Sequence, residues 1–532
     1  MGLTLNEEQY RLLCMTCDRV LQSHDATVEC IAIPWLHVIR EHPMFLTGYV
    51  NLFESDRGIK GSARKRLEIL RSRAVWLRQL LRAFNSTGQS WHCDAVLPNT
   101  TDILFISHLV NASHAGQSSD FYFGELPNEL TVKGFSVAIA LINHTGLPGK
   151  QLVGKWEECL VPRMIFTRSL DLQGEISIRF RLKTESLRLR RQALNSVERF
   201  SQRVLQQASQ EALSDASQSA LRLGEQISGL VAKLQPKAIV VTHEGHAWER
   251  IVFSAARKAF PNIRCLAYQH AAIFRLQHAI QRNLAIDLNP DVILAAGAIS
   301  KYKLERAHGL KDIPVLVLGS NRTLKQNSAT DCGVNQEVLM EHSDGLACLV
   351  LPEGDMSECR HLFEYSLACA KKLPEMRFIW RLHPLMSYQA LAKQCPKLMN
   401  NLPENIELSS ANLEEDIRRS RWVLYRGTTA VVQAVVAGLR PMYLQLPGEM
   451  TIDPLYELGA WRVKLFDISG FQRAVCTDTS SPDYPSDSVV EDARKYCELL
   501  FTPMDASTIE ELNLPVRLER AQKLRQLSKR VI

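Results

Sequence analysis

The chain has 532 residues, 46% hydrophobic and 23% charged, with a formal net charge of +6. That length exceeds what one hydrophobic core supports and suits a soluble globular protein of two or more domains. So small a net charge, without a lysine- or arginine-rich tail, argues against a nucleic-acid binder. Thirteen cysteines are scattered without paired spacing, and Met1 to Glu8 has neither a basic start nor an apolar run. No signal peptide is therefore expected, and the expected setting is cytoplasmic with reduced thiols. Gly2 opens an acylation-like start, but Asn6 stands where that signal needs Ser or Thr. The longest apolar run, Val137 to Ile142, is far below the roughly 18 residues of a spanning helix. Any membrane contact is expected to be peripheral, at the inner face.

Residues 1–100 read as mainly helical, with apolar positions at helical spacing in Tyr10-Leu12-Leu13 and from Leu67 to Leu81. Cys14 and Cys17 fall inside the first of these and read as two cysteines on one helix, since no second pair accompanies them. The basic segment Lys60 to Arg73 reads as a solvated face, with an anionic membrane or acidic glycan as the alternative. Asp102 to His108 is a buried-strand pattern, followed by a loop, a helix to Lys133 and a second strand from Phe135 to Ile142, which is a βαβ signature. The proline-free stretch Thr184 to Leu234, with a lone Gly224, predicts one or two amphipathic helices packed within the fold.

Pro236 to Thr242 is the next strand, running into His243-Glu244-Gly245. The glycine permits a sharp turn, and Glu244 is placed in the crevice beyond the strand ends, either as a general base or as a cap of the following helix. Arg264 to His270 repeats the arrangement, so two strands deliver polar residues to one edge. The stretches Asp291 to Gly297 and Pro314 to Ser320 complete a domain of residues 101–320, with 321–345 as a linker. A second domain, 346–532, opens with the strand Leu346 to Leu351 and Pro352-Glu353-Gly354. In it Arg377 to Leu382 is a strand ending at His383-Pro384, because proline cannot donate to a ladder. Trp422 to Tyr425 then delivers Arg426-Gly427-Thr428-Thr429 to a helix expected over Ala430 to Ala437, an arrangement that suits an anion. The fold class is thus α/β, two Rossmann-like domains facing a cleft, with a helical N-terminal region and a C-terminal helical tail.

These residues resemble a known plan. Glu-Gly in the first domain, His-Pro in the second and a hydroxyl-rich helix start followed by Gly438-Leu439-Arg440-Pro441 look like GT-B glycosyltransferases that use CMP-activated acidic sugars, the bacterial sialyltransferases and Kdo transferases. Glu244-Gly245 with Trp248-Glu249-Arg250, Tyr268-Gln269-His270, Pro352-Glu353-Gly354 and Tyr425-Arg426-Gly427 resemble a family of bacterial surface-carbohydrate biosynthesis proteins, over about residues 100 to 460. The first motif departs from the sialyltransferase pattern, which usually has two acidic residues before the glycine. The resemblance implies Glu244 as base, with His243 and His270 as the alternatives. It also implies a nucleotide pocket built from Arg381, His383, Pro384, Glu353, Gly354, Arg426, Gly427, Thr428 and Thr429. The expected substrates are a nucleotide-sugar donor and a glycan or lipid-linked glycan acceptor for capsule or lipopolysaccharide. No cofactor is expected, and no metal, since a monophosphate leaving group can be stabilised by hydrogen bonds alone and no DxD-like pattern occurs. Nucleotide-sugar 2-epimerases, CDP-glycerol glycerophosphotransferases and non-catalytic glycan-binding proteins of the same fold remain the alternatives.

Overall fold

Strands covered on both faces carry apolar residues at every position, and β3 (Val137–Asn143) shows why. Its Ala138 and Ala140 join one core while Ile139 and Leu141 join another on the opposite face. The computed structural model describes residues 4–53, 74–84, 88–93, 95–156, 159–323, 346–384, 386–459, 461–480 and 487–512. Two sheets organise them. The first contains β1 (Trp91–His92), β2 (Ile103–Leu109), β3, β4 (Arg163–Phe166), β5 (Ala238–Thr242), β6 (Arg264–Gln269), β7 (Val292–Ala295) and β8 (Val315–Val317), in the order β1-β4-β3-β2-β5-β6-β7-β8. Its pairs are parallel except the edge pair of β1 with β4. The second contains β9 (Ala347–Leu351), β10 (Arg377–Trp380), β11 (Ile406–Leu408), β12 (Trp422–Tyr425), β13 (Arg440–Leu444) and β14 (Val463–Leu465), in the order β11-β10-β9-β12-β13-β14. All of its pairs are parallel.

Both orders reverse direction once. The chain fills one side of the first sheet from β2 and the other from β5, and it fills the second sheet on either side of β9 and β12. A crevice opens beyond the carboxyl ends at each reversal, because the flanking loops leave in opposite directions. Strands β1, β4 and β14, of two to four residues, are additions to the sequence-based expectation.

The helical insertion begins earlier than Thr184, with helices Leu172–Asn195, Arg199–Glu211 and Asp215–Leu234. Together with residues 4–53 they form a separate apolar layer on the first domain. Cys14 and Cys17 are buried in it, on the helix Glu7–Leu21. Gly224 lets the helix Asp215–Leu234 close on the helix Ala247–Ala259, since a Cβ at that position would meet Ile251 at 2.6 Å. The segment Lys60 to Arg73 and residues 324–345 of the expected linker lie outside the described residues. After Phe501 the chain leaves the second sheet and returns to the first, where Ala506, Ile509 and Leu512 join the core beside β2 and β6. No helix among the described residues is long and apolar enough to cross a membrane, and Cys14, Cys17 and Cys30 of the N-terminal layer are free thiols.

The N-terminal region is anchored by charge as well as by apolar contact. Asp18 accepts from Arg282 Nε at 2.5 Å and lies 2.8 Å from His278 Nε2, and the Arg282 side chain is 1% exposed. Asp18→Asn removes the charge opposing a buried guanidinium, so the unfolding free energy should fall by about 3 kcal/mol or more, read from urea denaturation. An unchanged midpoint would show that residues 4–53 are held by apolar packing alone.

Candidate active site

At the first reversal, the loop after β5 carries His243-Glu244-Gly245. Glu249, two turns' reach along the chain, organises it: its carboxylate accepts from the backbone N–H of Glu244 (3.0 Å), Gly245 (2.8 Å) and His246 (2.9 Å), and His243 Nδ1 lies 2.7 Å away. Gly245 has φ +93°, and a Cβ there would run into the backbone of Ala279 and Ile280. Glu249 is therefore the cap, and the Glu244 side chain is released from that task. His243 is fully buried against Glu249 and faces the domain interior.

The Glu244 carboxylate lies 3.6 Å from His246 Nε2 and 3.8 Å from His270 Nε2, which follows β6. Burial opposes ionisation, but the His246 hydrogen bond and the charges of His270, His246 and Arg40 outweigh it and hold the carboxyl far below its usual range. Burial pushes His270 down to about 4, so its ring is neutral near pH 7. His246 is also penalised by burial, yet Glu244 and Glu249 raise it above the usual imidazole value. His108, at the end of β2, adds a further ring: it contacts His144 Nε2 at 2.9 Å and Thr242 Oγ1 at 3.0 Å. Tyr122 stacks edge-on against both His108 and His270.

The opposite wall comes from three adjacent strands. Glu353-Gly354 follows β9, His383 follows β10 and Arg426 to Thr429 follow β12. The Glu353 carboxylate rests on the bare backbone of Gly427, where any Cβ would overlap it, and a Cβ on Gly354 would meet His383 Nδ1 at 2.8 Å. His383 is pushed down by burial, and the charge of Arg322 adds to the effect. Arg426 is drawn under the site, 1% exposed, between Glu358 (2.5 Å) and Glu449 (2.6 Å). Arg381 turns aside to Asp416 and the carbonyl of Ala411. The Pro384 carbonyl accepts from Asn111 of the first domain. Thr428 is nearly buried, and Thr429 Oγ1 accepts from Arg322 at 2.8 Å. The helix beyond is only Val431–Val436, shorter than expected, so it offers little of the helix-axis dipole that the sequence predicts there.

Three further residues complete the cleft. Arg322, just past β8, donates to Thr429 and lies close enough to Tyr122, Tyr268, His270 and His383 for its charge to act on each. It has no carboxylate partner among the described residues. Arg40 and His42 reach in from the N-terminal region and bind Glu353 at 3.3 Å and 3.1 Å. Arg40-Glu41-His42-Pro43 has the same R-x-H-P pattern as Arg381-Leu382-His383-Pro384, a repetition that would have pointed to it. Arg322 carries no such signal. Ligand atoms of His42, Glu353 and Glu358 lie within 4.8 Å of one another, a spacing that could hold a cation. The guanidinium groups of Arg40 and Arg426 already neutralise those carboxylates.

No family model matches the chain, and no curated protein matches it. Among solved structures it is similar to the UDP-GlcNAc 2-epimerase from Neisseria meningitidis bound to UDP-GlcNAc, with 13% identity, 78% of this chain and 99% of that one covered, and a TM-score of 0.46. It is also similar to the α,α-trehalose 6-phosphate synthase from Burkholderia multivorans (12% identity, 80% and 98% covered, TM-score 0.44) and to the glycosyltransferase of kitacinnamycin (11% identity, 79% and 100% covered, TM-score 0.43). Identities and scores this low assign no activity. The chain's own architecture is an α/β fold of two parallel-sheet domains whose carboxyl edges face one cleft, the GT-B arrangement.

Glu353 gives this site a measurable pH signature. Burial raises its carboxyl, but His42, Arg40 and Arg426 together hold it down at about 2, against a usual 4.5. A lowered folded-state pKa contributes stability above the unfolded value that disappears as pH falls. Wild-type protein should therefore lose stability between about pH 4.5 and 2 more steeply than Glu353→Gln, measured by melting temperature across that interval. Parallel acid limbs would show that Glu353 titrates normally.

Proposed function

We propose that the protein is a glycosyltransferase that moves a sugar, in the favoured reading an acidic sugar activated as its CMP derivative, onto a glycan acceptor. The observation that carries this reading is the meeting of two walls in one cleft: Glu244 with His246 and His270 on one side, Arg322, Thr429 and His383 on the other. The first wall supplies proton acceptors and the second supplies donors for an anion. In the reaction the bond from the anomeric carbon to the donor phosphate breaks and the electron pair leaves with CMP. A bond to the acceptor oxygen forms, and the hydroxyl proton passes to the Glu244 carboxylate.

The strongly depressed Glu244 is a weak base in the empty cleft. The cations that depress it include Arg40 and His246, and a donor phosphate beside them offsets part of that charge, raising the basicity of Glu244 when substrate is bound. Arg322 suits a leaving group with one phosphate: a guanidinium without a carboxylate partner among the described residues, next to a threonine hydroxyl and a neutral imidazole.

A melting-temperature panel of nucleotides tests the donor. CMP should stabilise the protein, and Arg322→Gln should weaken that binding by about tenfold or more, as expected for a charge-assisted hydrogen bond worth roughly 1.5–3 kcal/mol. Stabilisation by UDP alone would support the 2-epimerase reading, and by CDP alone the glycerophosphotransferase. No response to any nucleotide would support a binding role without turnover.

Glu244→Gln separates base from scaffold. Because Glu249 makes the capping hydrogen bonds, the variant should keep its fold, with a melting temperature at neutral pH lowered only by the loss of the Glu244 charge beside His246 and Arg40. Transfer from CMP-N-acetylneuraminate or CMP-Kdo should fall by roughly a hundredfold, with donor affinity little changed. Normal turnover would move the proton acceptor to His270, whose ring is neutral.

A further inference from the structure

A cavity of about 440 Å³ opens beside the acid–base cluster, between the first domain and the N-terminal region. It lies between the carboxyl ends of β3 and β4, the first turns of the helix Asp215–Leu234 and the helix spanning 74–84. Its volume falls in the range of small-ligand sites, roughly 300–1,000 Å³. His246 is part of its lining, and its Nε2 is 3.6 Å from Glu244, so a molecule seated there lies against a ring that contacts the proton acceptor. Ile142, Phe166 and Leu223 give it an apolar floor, and the half-buried indole of Trp248 offers a surface on which a sugar ring can lie.

The charge of the lining decides what kind of molecule fits. Arg222 is neutralised by Glu175, which accepts from its Nε at 2.6 Å and from its terminal nitrogen at 3.0 Å. Arg82 and Arg168 are different. Arg82 donates to Gln79 at 3.5 Å and Arg168 to the Leu147 carbonyl at 2.9 Å, and neither has a carboxylate partner among the described residues. Asp215 is the one carboxylate on the described lining, and burial lowers the pKa of His144, leaving it neutral. Two cations thus face one anion.

We propose that this cavity holds the acceptor and that the acceptor carries an anionic group, a carboxylate or a phosphate, gripped by Arg82 and Arg168. The word acceptor rests on the transfer reading above; selectivity of the cavity for an anionic sugar does not.

The test is isothermal titration of the full chain with glucuronic acid, glucosamine 6-phosphate and neutral N-acetylglucosamine. At least one anionic sugar should bind about fivefold or more tightly than the neutral one, as charge-assisted hydrogen bonds require. Which of the two wins distinguishes carboxylate from phosphate. The double variant Arg82→Gln/Arg168→Gln should lose that preference while keeping wild-type melting temperature and CMP response, since both side chains are exposed. Arg322→Gln, on the opposite wall, should retain it. Equal binding of charged and neutral sugars, no binding of either anionic sugar, or loss of the preference in Arg322→Gln alone would overturn the proposal. Anionic preference in a protein that responds to no nucleotide would remove the transfer reading and leave the anionic-sugar site standing.

Discussion

The Glu353 carboxylate, pressed against the backbone of Gly427 and held there by Arg40 and His42, is the contact on which the cleft depends. A carboxylate this far from water is costly unless it is paired, and here its partners come from a segment more than three hundred positions earlier in the chain. That segment is in turn fixed to the first domain: His278 and Ala279 donate to the Ile39 carbonyl, and the backbone N–H of Leu276 donates to the Glu41 carboxylate. One buried carboxylate thereby joins the N-terminal layer, the first domain and the carboxyl edge of the second sheet. It also explains why glycine follows Arg426, since no side chain would fit beneath it.

Neighbouring carboxylates in the first wall divide the labour that one residue would otherwise share. Glu249 takes three backbone N–H groups and the His243 ring, a purely structural load, and the strand-to-helix turn closes around it. Glu244 is left with only side-chain partners, two histidines at distances that leave space for a hydroxyl. The pair of environments pushes the ionisable groups apart: a carboxylate kept charged beside one imidazole raised and one lowered. Groups so separated can hold a proton on one side of a small gap and receive it on the other.

Much of this was legible in the sequence, because strands buried on both faces leave continuous apolar runs and each run ended in polar residues at a carboxyl edge. Glu244, His270, His383 and Thr429 were found that way, by position along a single element. What the sequence hid were long-range choices of partner. Arg426 and Arg381 look like ligand-facing cations, yet Glu358, Glu449 and Asp416 capture them. His243 looks equivalent to Glu244 until Glu249 turns it inward. Arg322 stood in a polar stretch that reads as linker, and Arg40 in a helical region with no strand to end. Strands as short as β1 and β14 offer too few residues for a periodicity to show.

Where the chain returns from the second sheet, it lies beside the end of the first domain. Ser320 bridges Pro503, the Ser320 N–H donates to Thr502, and Gly319 lies so close to the Pro503 carbonyl that a side chain there is excluded. These contacts form one line along which the returning chain is held to the end of the first domain. Arg322 is two residues from that line, and its own carbonyl accepts from Gln433 of the second domain. Glu353 meets Arg40 and His42 across the boundary between the second domain and the N-terminal region. The Arg322–Thr429 contact and the Glu353 carboxylate on Gly427 thus adjoin on one carboxyl edge, and each ties that edge to a part of the chain outside the second domain.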